Sequence, residues 1–321
     1  MHDRMTPGPP AASAGTPAAE VVIDTALVAG LLTDQHPDLA QLPLQVVDAG
    51  WDNALVRLGD RLALRLPRRA FAAPLILHEQ RWLPLLAERL PLPIPAPCRI
   101  GAPGRGYPWH WSVAPWLAGD PADQHPPDPG QATRFAAFLR ALHSPAPADA
   151  PVNPFRGVPL PQRAAAMETR MQRLARTTTA ITPAIRQIWD AAVRAPLDVP
   201  PTWLHGDLHP RNILVEQGCL SGIIDWGDIT AGDCATDLAA IWMLFAAPQA
   251  RDGAGGLRRN LGGHPPAGQG LGGAVRRDAA GERAGRSPAP RRDWGAHAAA
   301  SCGIGRIDRA NTPGGRIEFG C

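Results

Sequence analysis

Two short stretches decide how this chain is read: His205-Gly206-Asp207-Leu208-His209-Pro210-Arg211-Asn212, and after it Ile223-Ile224-Asp225-Trp226-Gly227. They place an Asp, an Asn five residues later, and a second Asp behind an apolar run. Phosphoryl transfer from a magnesium nucleotide uses those three groups. One carboxylate orients an attacking hydroxyl and takes its proton, while an amide oxygen and a second carboxylate hold the metal. Cys219 and Leu220-Ser221-Gly222-Ile223-Ile224 read as a hairpin end and a buried strand that delivers Asp225. A different reading exists for part of the set. His205, Asp207 and His209 alternate, so on a strand they would share one face and could bind zinc. That reading leaves Asn212 and Asp225 without a task, and Pro210 points to a loop.

The spacing resembles the kinase pattern H-x-D-x-x-x-x-N followed by D-F-G, with Gly206 at the second position and Trp226 in place of Phe. In this form it resembles the aminoglycoside phosphotransferase family. The resemblance covers about residues 44–247. It implies an α+β, protein-kinase-like, two-lobed fold: a five-stranded antiparallel first lobe and a helical second lobe. It further implies Asp207 as the catalytic carboxylate, Asn212 and Asp225 as the metal ligands, and Mg²⁺ with ATP or GTP as cofactors.

Upstream, residues 46–49, 54–58 and 62–66 read as three short strands. Residues 50–53 and Gly59-Asp60 supply the turns, the second with a hairpin signal. The first turn, Gly50-Trp51-Asp52-Asn53, lies where the family covers the nucleotide phosphates, which makes Gly50 and Asn53 candidate nucleotide contacts; an ordinary turn fits the residues equally well. Leu62-Ala63-Leu64-Arg65 aligns with the kinase V-A-I-K, and period-two alternation puts Ala63 and Arg65 on one face. The family usually has Lys there, but all 32 basic residues of this chain are Arg. The planar guanidinium can neutralise phosphate, though its geometry differs from an ammonium's. Arg65 is the candidate with a strand-face argument; Arg68 and Arg69 are the alternatives.

The pattern over 73–83 predicts a helix with Pro74 in its first turn, ended or kinked at Pro84. Glu79 is its only acidic residue, and the resemblance makes it the ion-pair partner of Arg65. Pro91-Leu92-Pro93-Ile94-Pro95-Ala96-Pro97 is extended, because each residue before a proline avoids helical geometry. Residues 98–100 and 109–116 read as the last two strands, and 113–117 as a hinge facing an adenine. Phe135, Phe138, Leu139 and Leu142 share one face of a helix over 132–144. Helices over 161–177, 183–195 and 238–245 follow. Asp237 is expected to cap or anchor the last of these, and His205 to be structural.

The division expected is a lead at 1–22, a nucleotide-binding lobe at 23–114, a catalytic lobe at 115–250 and a Gly/Arg-rich tail at 251–321. The tail holds 17 Gly and 12 Arg against 6 acidic residues, with nine large apolar residues in 71. Such a segment cannot bury a core and reads as disordered. It carries a formal +6, leaving −3 on residues 1–250, so the net +3 says nothing about nucleic-acid binding by the folded part. A tail of this composition could hold nucleic acid weakly; a solvated tail without a specific nucleic-acid partner is the simpler expectation. Composition breaks near Pro248, where the family would continue with amphipathic helices. The second lobe is therefore expected to be incomplete, through a shifted reading frame or a rearrangement. The alternative to an active enzyme is then a nucleotide-binding remnant without turnover.

No apolar run is long enough to span a bilayer, and residues 1–20 lack a signal-peptide core. Five cysteines without metal spacing suggest a reducing cytoplasm. The function expected is a small-molecule kinase that phosphorylates a hydroxyl of an antibiotic-like acceptor (aminoglycoside or macrolide) or of a metabolite. Neither the acceptor nor the oligomeric state is legible.

Overall fold

The computed structural model describes residues 17–197, 199–246 and 250. The tail expected from residue 251 and most of the expected lead lie outside the described residues. Glu20, within that lead, is tied down: its N–H donates to the Arg68 carbonyl at 2.9 Å, and its carboxylate accepts the Ala70 N–H at 3.0 Å.

The first half builds one antiparallel sheet. Its strands are β1 (Leu44–Ala49), β2 (Asn53–Leu58), β3 (Leu62–Pro67), β4 (Arg99–Gly101) and β5 (Trp111–Pro115), in the order β1-β2-β3-β5-β4. β2 alternates as its sequence demands, with Ala54, Val56 and Leu58 buried and the residues between them half-buried. β3 is apolar on both faces and buried along its length except at Arg65. The β2–β3 connection spans three residues, since Leu58 pairs with Leu62 and Gly59 takes φ +57°.

The sheet is covered on one face by a helix absent from the sequence expectations, α1 (Thr25–Gln35), capped by Asp24, whose side chain accepts the Leu27 N–H at 2.8 Å. Val28, Leu31 and Leu32 pack against Val56, Leu64, Trp111 and Val113. Helix α2 (Ala73–Ala87) packs on β3 and β5. Gln80 fastens it, donating to the Trp111 carbonyl and the Ser112 hydroxyl, each at 3.0 Å. The expectation that Pro84 ends this helix is corrected: α2 runs through Pro84 to Ala87. An interior proline costs about 3 kcal/mol, and Leu86 beyond it offsets much of that by being buried in the core of the second half, at about 1.5–3 kcal/mol.

The second half is mostly helical: α3 (Gln131–Leu142), α4 (Leu160–Thr177), α5 (Pro183–Arg194) and α6 (Ala235–Leu244). Two small antiparallel sheets hold its loops. β6 (Asp120–Pro121), β8 (Ile213–Glu216) and β9 (Cys219–Ile223) form one; β7 (Thr202–Leu204) and β10 (Thr230–Gly232) form the other. The β8–β9 hairpin turns on Gln217 and Gly218, both at positive φ. Phe135, Phe138, Leu139 and Leu142 are buried as their spacing predicts, against Trp203, Ile213, Ile223 and Trp226. The fold is therefore the α+β, kinase-like arrangement that the motif implied. No helix among the described residues is long and apolar enough to cross a membrane.

Candidate active site

The loop 205–212 is held from beneath by Asp237. This side chain is fully buried, accepts the N–H groups of His205 (2.8 Å) and Gly206 (3.0 Å), and lies 3.4 Å from the ring of His143. Asp237 does not cap its helix, whose N-cap is Cys234 without a side-chain bond; it ties the helix to the loop, while Asp233, one residue before the cap, accepts the Ala235 N–H at 2.9 Å. Gly206 has φ +86°, and a Cβ there would fall 2.4 Å from the Asp228 carbonyl, so the turn accepts only glycine.

His205 is buried and both ring nitrogens are committed. Nε2 faces the Ile224 carbonyl at 2.9 Å and Nδ1 accepts the Asp207 N–H at 3.2 Å. Its ring packs 4.7 Å from Trp226, whose indole donates to the Ile223 carbonyl. A zinc site on His205, Asp207 and His209 has no support here, because His205 has no nitrogen left to give.

Asn212 is buried and donates from Nδ2 to the Asp207 carbonyl at 3.0 Å, which leaves its amide oxygen facing outward from that bond. The Asn212 carbonyl accepts the Ile224 N–H at 2.9 Å. This bond sets the first stretch against the second and brings Asn212 beside Asp225. Asp225 takes φ +64°, unusual for a residue with a side chain, and its carboxylate is 58% exposed. One amide oxygen and one open carboxylate are hard oxygen donors, suited to Mg²⁺, which commonly takes one or two protein ligands and completes its shell with phosphates and water.

Across the cleft, Arg65 places Nη2 2.8 Å from Glu79 Oε1 and 3.4 Å from Asp225 Oδ1. Burial works against its charge, but Glu79 and Asp225 outweigh burial and hold the guanidinium's pKa above its ordinary value. Arg68 and Arg69 have other tasks. Arg68 is buried and donates to the Gly50 carbonyl at 2.5 Å, and Arg69 pairs with Asp52 at 2.8 Å. Both brace the 50–53 turn, which closes on itself through Gly50 N–H to the Asn53 carbonyl at 3.0 Å. Burial pushes the Asp52 carboxyl up, with Arg69 opposing and Asp225 and Asp228 adding to the rise. In the expected hinge, the Val113 carbonyl accepts the Cys98 N–H and the Trp116 N–H donates to Arg61, so these two groups are spent inside the sheet.

Asp207 is 29% exposed. Oδ1 pairs with Arg156 at 2.8 Å and Oδ2 lies 3.4 Å from His209. Burial alone would raise its pKa; the His209 hydrogen bond and the Arg156 and histidine charges outweigh it and hold the carboxyl below the ordinary value. Sequence reasoning missed Arg156, Asp228 and Asn153. Arg156 also pairs with Asp228 at 3.0 Å, and Asn153 donates to Asp228 at 2.7 Å. Asp228 three residues past Asp225 was visible, but Asn153 and Arg156 sit in an aperiodic loop rich in Pro and Gly. Beside this cluster, among the described residues, lies a cavity of about 480 Å³ between the 50–53 turn, α2, the 151–156 loop, α4 and residues 227–229.

Comparison with known proteins bears on this geometry. The family described as "Phosphotransferase enzyme family" matches residues 43–271, past the composition break near Pro248. No curated protein matches the chain. Among solved structures, a point mutant of aminoglycoside 2'-phosphotransferase-IIIa in its GDP complex aligns with TM-score 0.58 at 19% identity, over 78% of this chain and 87% of that one. The GDP and kanamycin complex of APH(2")-IIia aligns with TM-score 0.58 at 19% identity, over 80% and 92%. The macrolide 2'-phosphotransferase MphH from Brachybacterium faecium aligns with TM-score 0.53 at 21% identity, over 81% and 94%.

Proposed function

The chain belongs to the phosphotransferase enzyme family, and on that premise we propose that it moves the γ-phosphate of a nucleoside triphosphate to a hydroxyl of a small molecule. Asp207 orients the acceptor hydroxyl and takes its proton as the oxygen attacks phosphorus. The bond from the γ-phosphorus to the β–γ bridging oxygen breaks, and nucleoside diphosphate leaves. Asn212 and Asp225 hold Mg²⁺, which supplies charge neutralisation along the phosphates. Arg65 contacts the phosphates, Glu79 positions Arg65, and the Gly50–Asn53 turn covers the nucleotide.

The observation that carries this reading is that Arg65 meets both Glu79 and Asp225, residues from α2 and from the segment after β9. A cation held by one carboxylate and aimed at a second is a site for phosphate and metal together. ATP or GTP serves as donor, and the acceptor is antibiotic-like, an aminoglycoside or macrolide, or a metabolite alcohol. Among the described residues Cys219 and Cys234 are free thiols, compatible with the reducing cytoplasm proposed for the chain.

The test is mass spectrometry of hydroxylated compounds incubated with the chain, Mg²⁺ and ATP or GTP. A product heavier by one phosphoryl group, absent with Asp207→Asn, supports the proposal. Nucleotide consumption that ignores both acceptor and Asp207→Asn would refute it.

A further inference from the structure

We infer that the cavity beside Asp207 takes an acceptor with an apolar body and an oxyanionic group, a carboxylate or phosphate, rather than a polycation. This rests on the phosphotransfer reading and names the acceptor class for the same site.

The charges in the cavity do not balance locally. Of its lining carboxylates, Asp52 is matched by Arg69 and Asp228 by Arg156. Arg156 is shared with Asp207 at 2.8 Å, so the lining groups and their pairs carry four arginines (Arg69, Arg156, Arg163, Arg170) against three carboxylates (Asp52, Asp207, Asp228). Arg163 and Arg170 line the same cavity, and among the described residues neither makes an ion pair. They lie on α4 seven residues apart, which is two helical turns and hence one face. Arg163 donates to the Phe155 carbonyl, which fixes its stem without neutralising it. Burial lowers its pKa, and the like charges of Arg156 and Arg170 lower it further. His78 adds no cation near neutral pH, since burial and Arg81 depress its pKa. Gathered guanidiniums in excess of the carboxylates beside them repel one another, and an anion among them relieves that repulsion. A polycation would add to it.

The rim supplies the second half of the argument. Phe71 (67%), Val152 (80%) and Phe155 (63%) are large apolar side chains left exposed, and all three line this cavity. Exposed apolar side chains gathered around a concave, cationic site mark ligand contact. An acceptor seated there would lay its body on Phe71, Val152 and Phe155, its oxyanion on Arg163 and Arg170, and its hydroxyl at Asp207.

Calorimetric binding of matched probes to the full chain without nucleotide tests this directly. The probes are para-hydroxymethylbenzoate, para-hydroxymethylphenyl phosphate, the neutral methyl ester of the benzoate, and para-hydroxymethylbenzylamine. The expected result is that one or both anions bind about tenfold more tightly than the ester and amine, and the tighter anion identifies the oxyanion. In Arg163→Glu/Arg170→Glu the order reverses toward the amine. Arg170→Gln, at an exposed position, loses part of the anion preference if the double variant fails to fold. Equal binding of all probes, preference for the ester or amine, or no binding by any of them would overturn the inference. So would variants that weaken nucleotide binding while leaving probe binding intact, because the arginines would then serve the donor. Adding Mg-ATP to the bound anion separates the two readings: anion binding without phosphate ester formation refutes phosphotransfer and leaves the anion site standing.

Discussion

The guanidinium of Arg65 sits 2.8 Å from the carboxylate of Glu79, a side chain with only 1% of its surface exposed. Breaking a buried pair by removing one partner leaves an uncompensated charge, at about 3–5 kcal/mol. Glu79→Ala is therefore expected to lower the free energy of unfolding by an amount of that order, measured by denaturant titration. Arg65→Lys keeps the charge but loses the planar fork. It is expected to bind Mg-nucleotide at least about tenfold more weakly while unfolding near the wild-type midpoint. Wild-type affinity in Arg65→Lys would show that the charge alone, and not the planar fork, serves the phosphates.

Asp237 makes a separate prediction. Its two oxygens satisfy the N–H groups of His205 and Gly206. Asp237→Ala leaves two buried donors unsatisfied, at about 1–3 kcal/mol each. The expected result is a lower melting temperature together with loss of turnover, since the loop that carries Asp207 loses its anchor. Asp233→Ala removes only the hydrogen bond to the Ala235 N–H and should cost about 1 kcal/mol.

The Asp207 carboxyl lies below its ordinary value in the folded chain. A depressed folded pKa means that its contribution to stability is fully present above the unfolded value, about 3.9, and is lost as pH falls through the folded value. The same shift keeps the proposed base ionised throughout the neutral range, so the acidic limb of kcat/KM assigned to it falls below the ordinary aspartate range. Arg156→Gln removes one of the charges that hold the value down and leaves burial opposed only by the histidines. The acidic limb should move upward. A downward shift would show that Arg156 does not act on Asp207.

Much of this site was legible because its residues are close in sequence and their spacing fixes their geometry. Asp207, Asn212 and Asp225 fall on one loop, one 3-10 turn and one strand end, and a backbone bond between Asn212 and Ile224 joins them. Arg65 followed from the alternation of its strand, and Glu79 from the family resemblance, which pairs it with that cation. Arg156 was hidden because it meets Asp207 across 51 residues from a loop with no period. Helix α1 escaped because its sequence, Thr25–Gln35, is apolar on most sides and shows little contrast between faces. Asp24 followed by Val28, Leu31 and Leu32 was the available signal. Pro84 misled because a local rule was opposed by the burial of Leu86 just beyond it.

Asn212 predicts a graded metal effect. Asn212→Ala removes one oxygen donor and the amide that braces the Asp207 carbonyl. The Mg²⁺ concentration for half-maximal nucleotide binding should rise several-fold, measured by titrating Mg²⁺ at fixed ATP. An unchanged requirement would remove Asn212 from the metal site.

The central claim is that Asp225 and Arg65 assemble a magnesium-nucleotide site in this chain, and thermal unfolding with and without Mg-ATP and Mg-GTP, beside Asp225→Ala, tests it most directly. A ligand at about 100 times its dissociation constant stabilises by about 2.7 kcal/mol, a shift on the order of 5–10 °C for a chain of this size. The account predicts a shift of that order with at least one nucleotide, lost in Asp225→Ala. A cooperative transition that ignores both nucleotides, or a shift that survives Asp225→Ala undiminished, would contradict it.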